Sequence, residues 1–276
     1  MEHKRILTLQ DISCVGQCSL TVALPVISAC GVEAAVLPSA VLSTHTAAGF
    51  SGFTCRDLTE DMPAIAAHWQ AKGITFDAFY TGYLGSAEQI DHALAIKRSC
   101  CAEGLLIADP AMADGGALYV GFDAAFVQEM KRLCAAADYI LPNLTEACLL
   151  TDTPYPAEGY DADFITALLE KLGALGCKNI ILKGISYREG SMGIEVWQQG
   201  ARSYYEHEKL DKSRHGTGDI YASAFVGSLM RGKDAYQAAA IAADYAVACI
   251  RATEDEHWYG TRFESVLGEL IAALNS

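Results

Sequence analysis

The chain has 276 residues, 51% of them hydrophobic and 20% charged, with a formal net charge of −14. That balance suits a folded globular protein, and its acidity excludes the broad basic surface that nucleic acid or an anionic membrane would require. Its ten cysteines are scattered through helical and strand patterns without a C-x-x-C pair, so neither a disulfide framework nor a zinc cluster is expected.

In chain order, the opening residues lead straight into an apolar strand and lack the features of a signal peptide, so a cytoplasmic location is expected. Ile6 to Gln10 reads as the first strand, followed by a loop and a helix from Leu20 to Cys30. Val32 to Pro38 reads as a second strand, Glu60 to Lys72 as a helix, Phe76 to Thr81 as a strand and Ala87 to Cys101 as a helix. Leu105 to Ala108, Tyr139 to Leu141 and Asn179 to Leu182 are short apolar runs, with helical patterns between them over Ala124 to Ala136 and Asp161 to Leu175. Residues 193–198 and 201–206 alternate in polarity about Gln199-Gly200 and predict a hairpin. Helices over 218–230, 234–252 and 262–274 close the chain. The apolar run Ala238 to Ile250 is interrupted by Asp244 and is too short to span a bilayer.

Short, unalternating apolar strands separated by helices predict a mainly parallel sheet covered on both faces. No Pro/Ser-rich linker or internal repeat divides the sequence, so residues 1–276 are read as a single three-layer, doubly wound α/β domain. Ligands bind such sheets beyond the carboxyl ends of the strands.

Several polar residues fall at that edge. Asp109 follows one strand, Asn143 and Glu146 open a helix after the next, Lys183 and Gly184 follow a third, and Gly82 to Ser86 follow the strand ending at Thr81. Late in the chain, His215-Gly216-Thr217-Gly218-Asp219 precedes a helix of small and apolar residues. A glycine turn at a helix start exposes backbone N–H groups at the positive end of the helix dipole, which makes an anion cradle. A carboxylate there stabilises no bound anion, so Asp219 is expected to have a chemical task. Each residue also has a structural reading: Asp219 as a helix cap, Asn143 with Glu146 as a capping box, Asp109 as a turn former, Lys183 as a surface charge. Their coincidence at one sheet edge favours a site. The sequence contains no P-loop, no G-x-G-x-x-G after the first strand and no G-x-S-x-G elbow.

Gly216-Thr217-Gly218-Asp219 resembles the anion-hole motif of the ribokinase-like superfamily, and Asn143-x-x-Glu146 resembles its metal- and phosphate-organising motif. Within that superfamily the chain is most similar to pyridoxal kinases. Thr44-His45-Thr46, the block from Thr81 to Gln89, Asp109-Pro110-x-Met112 and Leu141-Pro142-Asn143 match that branch in order and spacing. The resemblance implies a ribokinase-like fold and transfer of the γ-phosphoryl group of ATP, with magnesium, to the 5′-hydroxymethyl group of a small-molecule B6 vitamer. It implies Asp219 as the base and Gly216, Thr217 and Gly218 as the anion hole. Asn143, Glu146, Lys183, Gly184 and Asp109 would serve ATP, with Glu146 and Asp109 organising the metal. Asp11, Thr46 and Tyr83 would line the substrate pocket, and residues 113–120 would cover ATP. It also implies a homodimer and leaves a potassium requirement open.

Two departures bear on the substrate. Asp11-Ile12-Ser13 stands where the family has Ser-His-Val, and the stretch from Gly16 to Leu20 replaces a pattern with a second glycine and an asparagine. An acidic Asp11 would favour a protonated ring nitrogen or an amine. A hydroxymethylpyrimidine kinase is the nearest rival; that branch commonly carries cysteine at the position of Asp219, and Cys18 is not expected to substitute for it. A dehydratase acting on hydrated nicotinamide cofactors and a catalytically silent binder are the readings from other classes.

Overall fold

The computed structural model describes residues 3–46, 49–156, 159–212 and 214–276. The first half of the chain forms β1 (Arg5–Ser13), α1 (Leu20–Ala29), β2 (Glu33–Leu42), β3 (Cys55–Asp57), α2 (Met62–Ala71), β4 (Ala78–Thr81), α3 (Ala87–Cys100), β5 (Leu105–Ala108), β6 (Ala113–Asp114), β7 (Ala117–Leu118) and α4 (Ala124–Ala136). The second half forms β8 (Tyr139–Ile140), α5 (Leu144–Leu150), α6 (Ala162–Ala174), β9 (Asn179–Ile185), β10 (Ser191–Gln198), β11 (Ala201–Glu208), α7 (Thr217–Met230), α8 (Ala235–Ala252) and α9 (Leu267–Asn275).

Nine of these strands join in one sheet of order β11-β10-β9-β8-β5-β4-β1-β2-β3. The pairings from β2 through β9 are parallel, while β3, β10 and β11 add antiparallel edges. Central strands are buried on both faces, as in β4, where every residue is inaccessible, which explains their unbroken apolar character. One core joins the sheet to α2, α3, α4, α5 and α6, and a second joins its other face to α1, α7, α8 and α9. This is the expected mainly parallel sheet between two helical layers.

α7 is buried from Ile220 to Ser228 without interruption. A helix hydrophobic all round belongs inside, and its small residues allow close approach: a Cβ on Gly227 would collide with Cys30 at the end of α1. Ser86, Asp123, Asp161 and Asp234 fix the starts of α3, α4, α6 and α8 by accepting an N–H at the third helical position.

Several boundaries differ from the sequence reading, and three of the differences move site residues. β1 runs past Gln10 to Ser13 because a register shift between Gln10 and Ile12 carries its pairing with β2 around Asp11. Asp11 therefore sits at a bulge within the strand, where bulges re-aim side chains. β9 continues to Ile185, so Lys183 and Gly184 lie within it and not after it. α7 begins at Thr217, which makes Thr217, Gly218 and Asp219 its first turn. The predicted helix over 262–274 starts as a short 3-10 turn, Glu264–Val266, before α9. Among the described residues no helix is long and apolar enough to cross a membrane.

β2 and β4 lie on opposite sides of β1, so the chain reverses its direction of travel across the sheet there. The carboxyl ends of β1 and β4 flank the crevice where doubly wound sheets bind ligands.

Candidate active site

The floor of the site is the first turn of α7. Gly216 precedes it at φ 80°, a left-handed conformation that glycine adopts without penalty. A side chain there would also strike the carbonyl oxygen of Gln17, so the position admits only glycine. Thr217 Oγ1 donates to the Arg214 carbonyl at 2.9 Å and lies 3.1 Å from Thr261 Oγ1, which donates to the His215 carbonyl at 2.9 Å. Beyond Gly218 there is open space. The unpaired N–H groups of a helix start thus face an accessible volume, with the dipole favouring an anion.

Asp109, Lys183, Asn143 and Glu146 meet beside this turn. β5 delivers Asp109, whose two carboxylate oxygens accept from Lys183 Nζ at 3.0 and 2.9 Å. Both side chains are largely buried, at 6% and 14% exposure. Asn143 and Glu146 form the capping box of α5, since Asn143 Oδ1 accepts from the Glu146 N–H at 2.9 Å and Glu146 Oε2 accepts from the Asn143 N–H at 2.8 Å. The capping reading therefore holds for this pair, and it fixes Glu146 inside the site, where Oε1 accepts from the Met112 N–H at 3.2 Å. Asn143 Nδ2 donates to the Ala113 carbonyl at 2.8 Å, and the Gly116 N–H donates to Thr145 Oγ1 at 3.0 Å. These contacts tether the β6–β7 ribbon over the site. Gly184 has φ 74° and open space above its Cα.

Charge is crowded here. Burial, then Asp109, pushes Glu146 up to about 8. Burial raises part-buried Asp219 to about 7; the backbone N–H of Ser19 and the Lys183 ammonium oppose the rise, and Asp109 and Asp11 add to it. Burial disfavours the Lys183 ammonium, but Asp109 and Glu146 outweigh that and hold its pKa above the ordinary value. Three acids thus share one lysine. Among the described residues no three His, Cys, Asp or Glu side chains converge to cage a metal by themselves. Glu146 and Asp109 instead fit an ion held in part by water and phosphate oxygens, which is how magnesium is commonly bound.

On the other side of Asp219 lies a second pocket. Asp11 is 5% exposed, and its carboxylate accepts from Ser13 Oγ at 3.0 Å and from Ser19 Oγ at 2.6 Å. Tyr83, just beyond β4, is half-buried with its ring 5.5 Å from that of Phe122. Burial and the Asp11 charge raise its hydroxyl pKa, so Tyr83 and Asp11 feel one another across the crevice. Thr46 is exposed beside buried His45, whose Nε2 lies 2.7 Å from the Tyr259 carbonyl.

The sequence reading missed two neighbours of Asp219. Cys18 lies nearer to it than expected, its Sγ 3.7 Å from where a Cβ on Gly216 would stand. Burial, Asp219 and Asp11 all raise its thiol pKa, so Cys18 is a neutral thiol and no substitute for a base. Ser19 is the other, its backbone N–H opposing the upward shift of the Asp219 pKa. The only signal for it in the sequence was the missing second glycine of the 16–20 stretch.

Residues 23–262 match the family described as phosphomethylpyrimidine kinase. A structure described as a phosphomethylpyrimidine kinase from Bacteroides thetaiotaomicron has TM-score 0.92 and 35% identity, covering 98% of this chain and 94% of that one. An orthorhombic form of it with pyridoxal has TM-score 0.90. Pyridoxal kinase from Lactobacillus plantarum has TM-score 0.88 at 30% identity, covering 98% of this chain and 97% of that one. Among curated relatives, the thiamine biosynthesis bifunctional protein ThiED of Geobacter sulfurreducens is 33% identical over 181 residues, covering 64% of this chain. The chain spans 36% of that relative's length. The similar proteins thus divide between vitamin B6 and pyrimidine names.

Proposed function

The chain belongs to the phosphomethylpyrimidine kinase family, and from that premise we propose that it transfers the γ-phosphoryl group of ATP to the 5′-hydroxymethyl group of pyridoxal, pyridoxine or pyridoxamine. The observation that carries this reading is the position of Asp219. It stands in the first turn of α7, between the Asp109–Lys183–Glu146 cluster and the Asp11 pocket.

On the nucleotide side, Lys183 and Gly184 on β9, with Asn143, would line the phosphates, and Glu146 and Asp109 would organise magnesium. Magnesium-bound ATP supplies the phosphoryl group and screens its charge during transfer. The Gly216, Thr217 and Gly218 N–H groups hold the oxygens of the transferring group. Such transfer has a loose transition state, so fixed donors and alignment contribute more than early deprotonation of the acceptor. Asp219 accepts the proton of the hydroxymethyl group late, as the new P–O bond forms. With its pKa raised to about 7, it is a better base at neutral pH than a carboxylate near its usual value of about 4.

On the acceptor side, Asp11, Thr46 and Tyr83 surround the ring. Buried Asp11 favours a substrate that brings a proton or an amine to it. Residues 1–276 would act as one kinase domain, in a cytoplasmic homodimer. The family match and the likeness to ThiED support a second reading, a hydroxymethylpyrimidine kinase. ADP release measured in parallel with pyridoxal, pyridoxine, pyridoxamine and hydroxymethylpyrimidine separates the two. We expect turnover with at least one B6 vitamer above that with the pyrimidine. Release with none of the four would refute the substrate class.

A further inference from the structure

Thr261 lies in the segment between α8 and α9 and is fully buried. It is far from the site in sequence, yet it touches the anion turn directly. Its Oγ1 donates to the His215 carbonyl at 2.9 Å. Thr217 Oγ1, 3.1 Å from it, donates to the Arg214 carbonyl at 2.9 Å. Two adjacent hydroxyls thus hold two successive carbonyls at the entrance to α7.

The His215 carbonyl belongs to the same peptide unit as the Gly216 N–H. A trans peptide is planar, so its C=O and N–H point in opposite directions. A hydroxyl that fixes this carbonyl therefore also fixes the direction of the N–H. Gly216 supplies the left-handed conformation of the turn but, lacking a side chain, no anchor for it.

The anchor at Thr261 is itself firmly held. On one side, Gly260 bridges to Gln17, whose side chain meets those of His257 and Glu264 at 2.6 and 2.7 Å. On the other, the Arg262 N–H donates to Thr253 Oγ1 at 2.9 Å, and the Phe263 carbonyl accepts from the hydroxyl of buried Tyr245 at 3.2 Å. The same segment reaches the acceptor side, where the Tyr259 carbonyl lies 2.7 Å from His45 Nε2.

We propose that Thr261 is a positioning residue: by holding the His215 carbonyl, its hydroxyl aims the Gly216 N–H at the oxygens of the transferring phosphoryl group. This rests on the phosphotransfer reading for the role of that N–H. Donors stabilise a transition state most when they need no reorganisation at the moment of reaction. A glycine turn is not fixed by its own backbone, and Thr261 supplies the missing constraint.

The test is Thr261→Val, which keeps the branched shape and removes the hydroxyl. The 215–216 peptide is then free to rotate and carries the Gly216 N–H with it. We expect kcat to fall about tenfold or more. The KM values for ATP and the vitamer stay within about threefold of wild type, because the turn acts on the group in transit. Ser228→Ala is the control. It removes a buried hydroxyl at the far end of α7, where Ser228 Oγ donates to the Ala224 carbonyl at 2.7 Å, and it leaves kcat unchanged. A second readout needs no substrate: the Gly216 amide signal in protein labelled with ¹⁵N-glycine, assigned through Gly216→Ala. That signal moves or broadens in Thr261→Val and stays in place in Thr261→Ser, which loses only the methyl group. An unmoved signal in Thr261→Val, an equal shift in Thr261→Ser, or a loss of kcat no larger than in Ser228→Ala would overturn the proposal. Absence of ADP release by wild type would instead count against the functional reading, with the amide signal still testing the tether.

Discussion

Lys183 holds both carboxylate oxygens of Asp109, at 3.0 and 2.9 Å, and leaves Glu146 with backbone N–H donors alone in direct contact. The site therefore holds more buried carboxyl groups than its one lysine pairs, and protons take up part of the excess. That imbalance suits a site whose cation arrives with its ligand, and it makes the charged state of each acid measurable.

Lys183→Met would strand Asp109 as a buried acid without its partner. Losing one member of a buried, hydrogen-bonded pair costs about 3–5 kcal/mol, so a fall in Tm of several degrees is expected, with a raised KM for ATP. Thermal unfolding and initial rates check both. An unchanged Tm would mean that the pair is more solvated than its exposures imply.

Glu146 makes stability depend on pH. Its folded pKa, about 8, lies above its ordinary value of 4.5, so over that interval the folded state binds the extra proton. Stability contributed by Glu146 is then present at low pH and lost as pH rises toward 8. Glutamine can still complete the capping box. The Tm of Glu146→Gln relative to wild type should therefore rise steadily from about pH 5 to 8. A difference independent of pH would contradict the raised pKa.

Gly216→Ala brings a Cβ against the Gln17 carbonyl in a left-handed conformation. The turn must shift, which moves the anion-binding N–H groups. We expect kcat to fall about a hundredfold, as for loss of an oxyanion donor, with a lowered Tm. Near-normal kinetics would remove this turn from the site.

Asp11 should sort substrates by charge. Asp11→Asn keeps an acceptor for the Ser19 hydroxyl and removes the negative charge. The kcat/KM ratio of pyridoxamine over pyridoxal should fall about tenfold, equivalent to ~1.4 kcal/mol. A constant ratio would show that Asp11 does not face the distinguishing group.

Much of this architecture was legible in the sequence. Leu105–Ala108 and Ala124–Ala136 fall at the predicted limits, because an apolar run and an aspartate N-cap mark them. The coincidence of Asp109, Asn143 and Glu146 at one sheet edge followed from the βα alternation. The edge strand β3 and the separate β6–β7 ribbon were not legible, since two or three residues carry no periodicity. The bulge at Asp11 and the extension of β9 through Lys183 depend on pairing with distant strands. The left-handed backbone of Ser19 was hidden for a different reason, since its side-chain type gives no reason to expect that angle.

The most direct measurement is the turnover of Asp219→Asn with ATP and a B6 vitamer. Asparagine keeps the shape but cannot take a proton. General-base assistance contributes about 10²–10⁴-fold. The variant should therefore fold with a Tm near wild type, bind ATP normally and lose two to four decades of kcat. Turnover near the wild-type rate would contradict the assignment of Asp219 as the base.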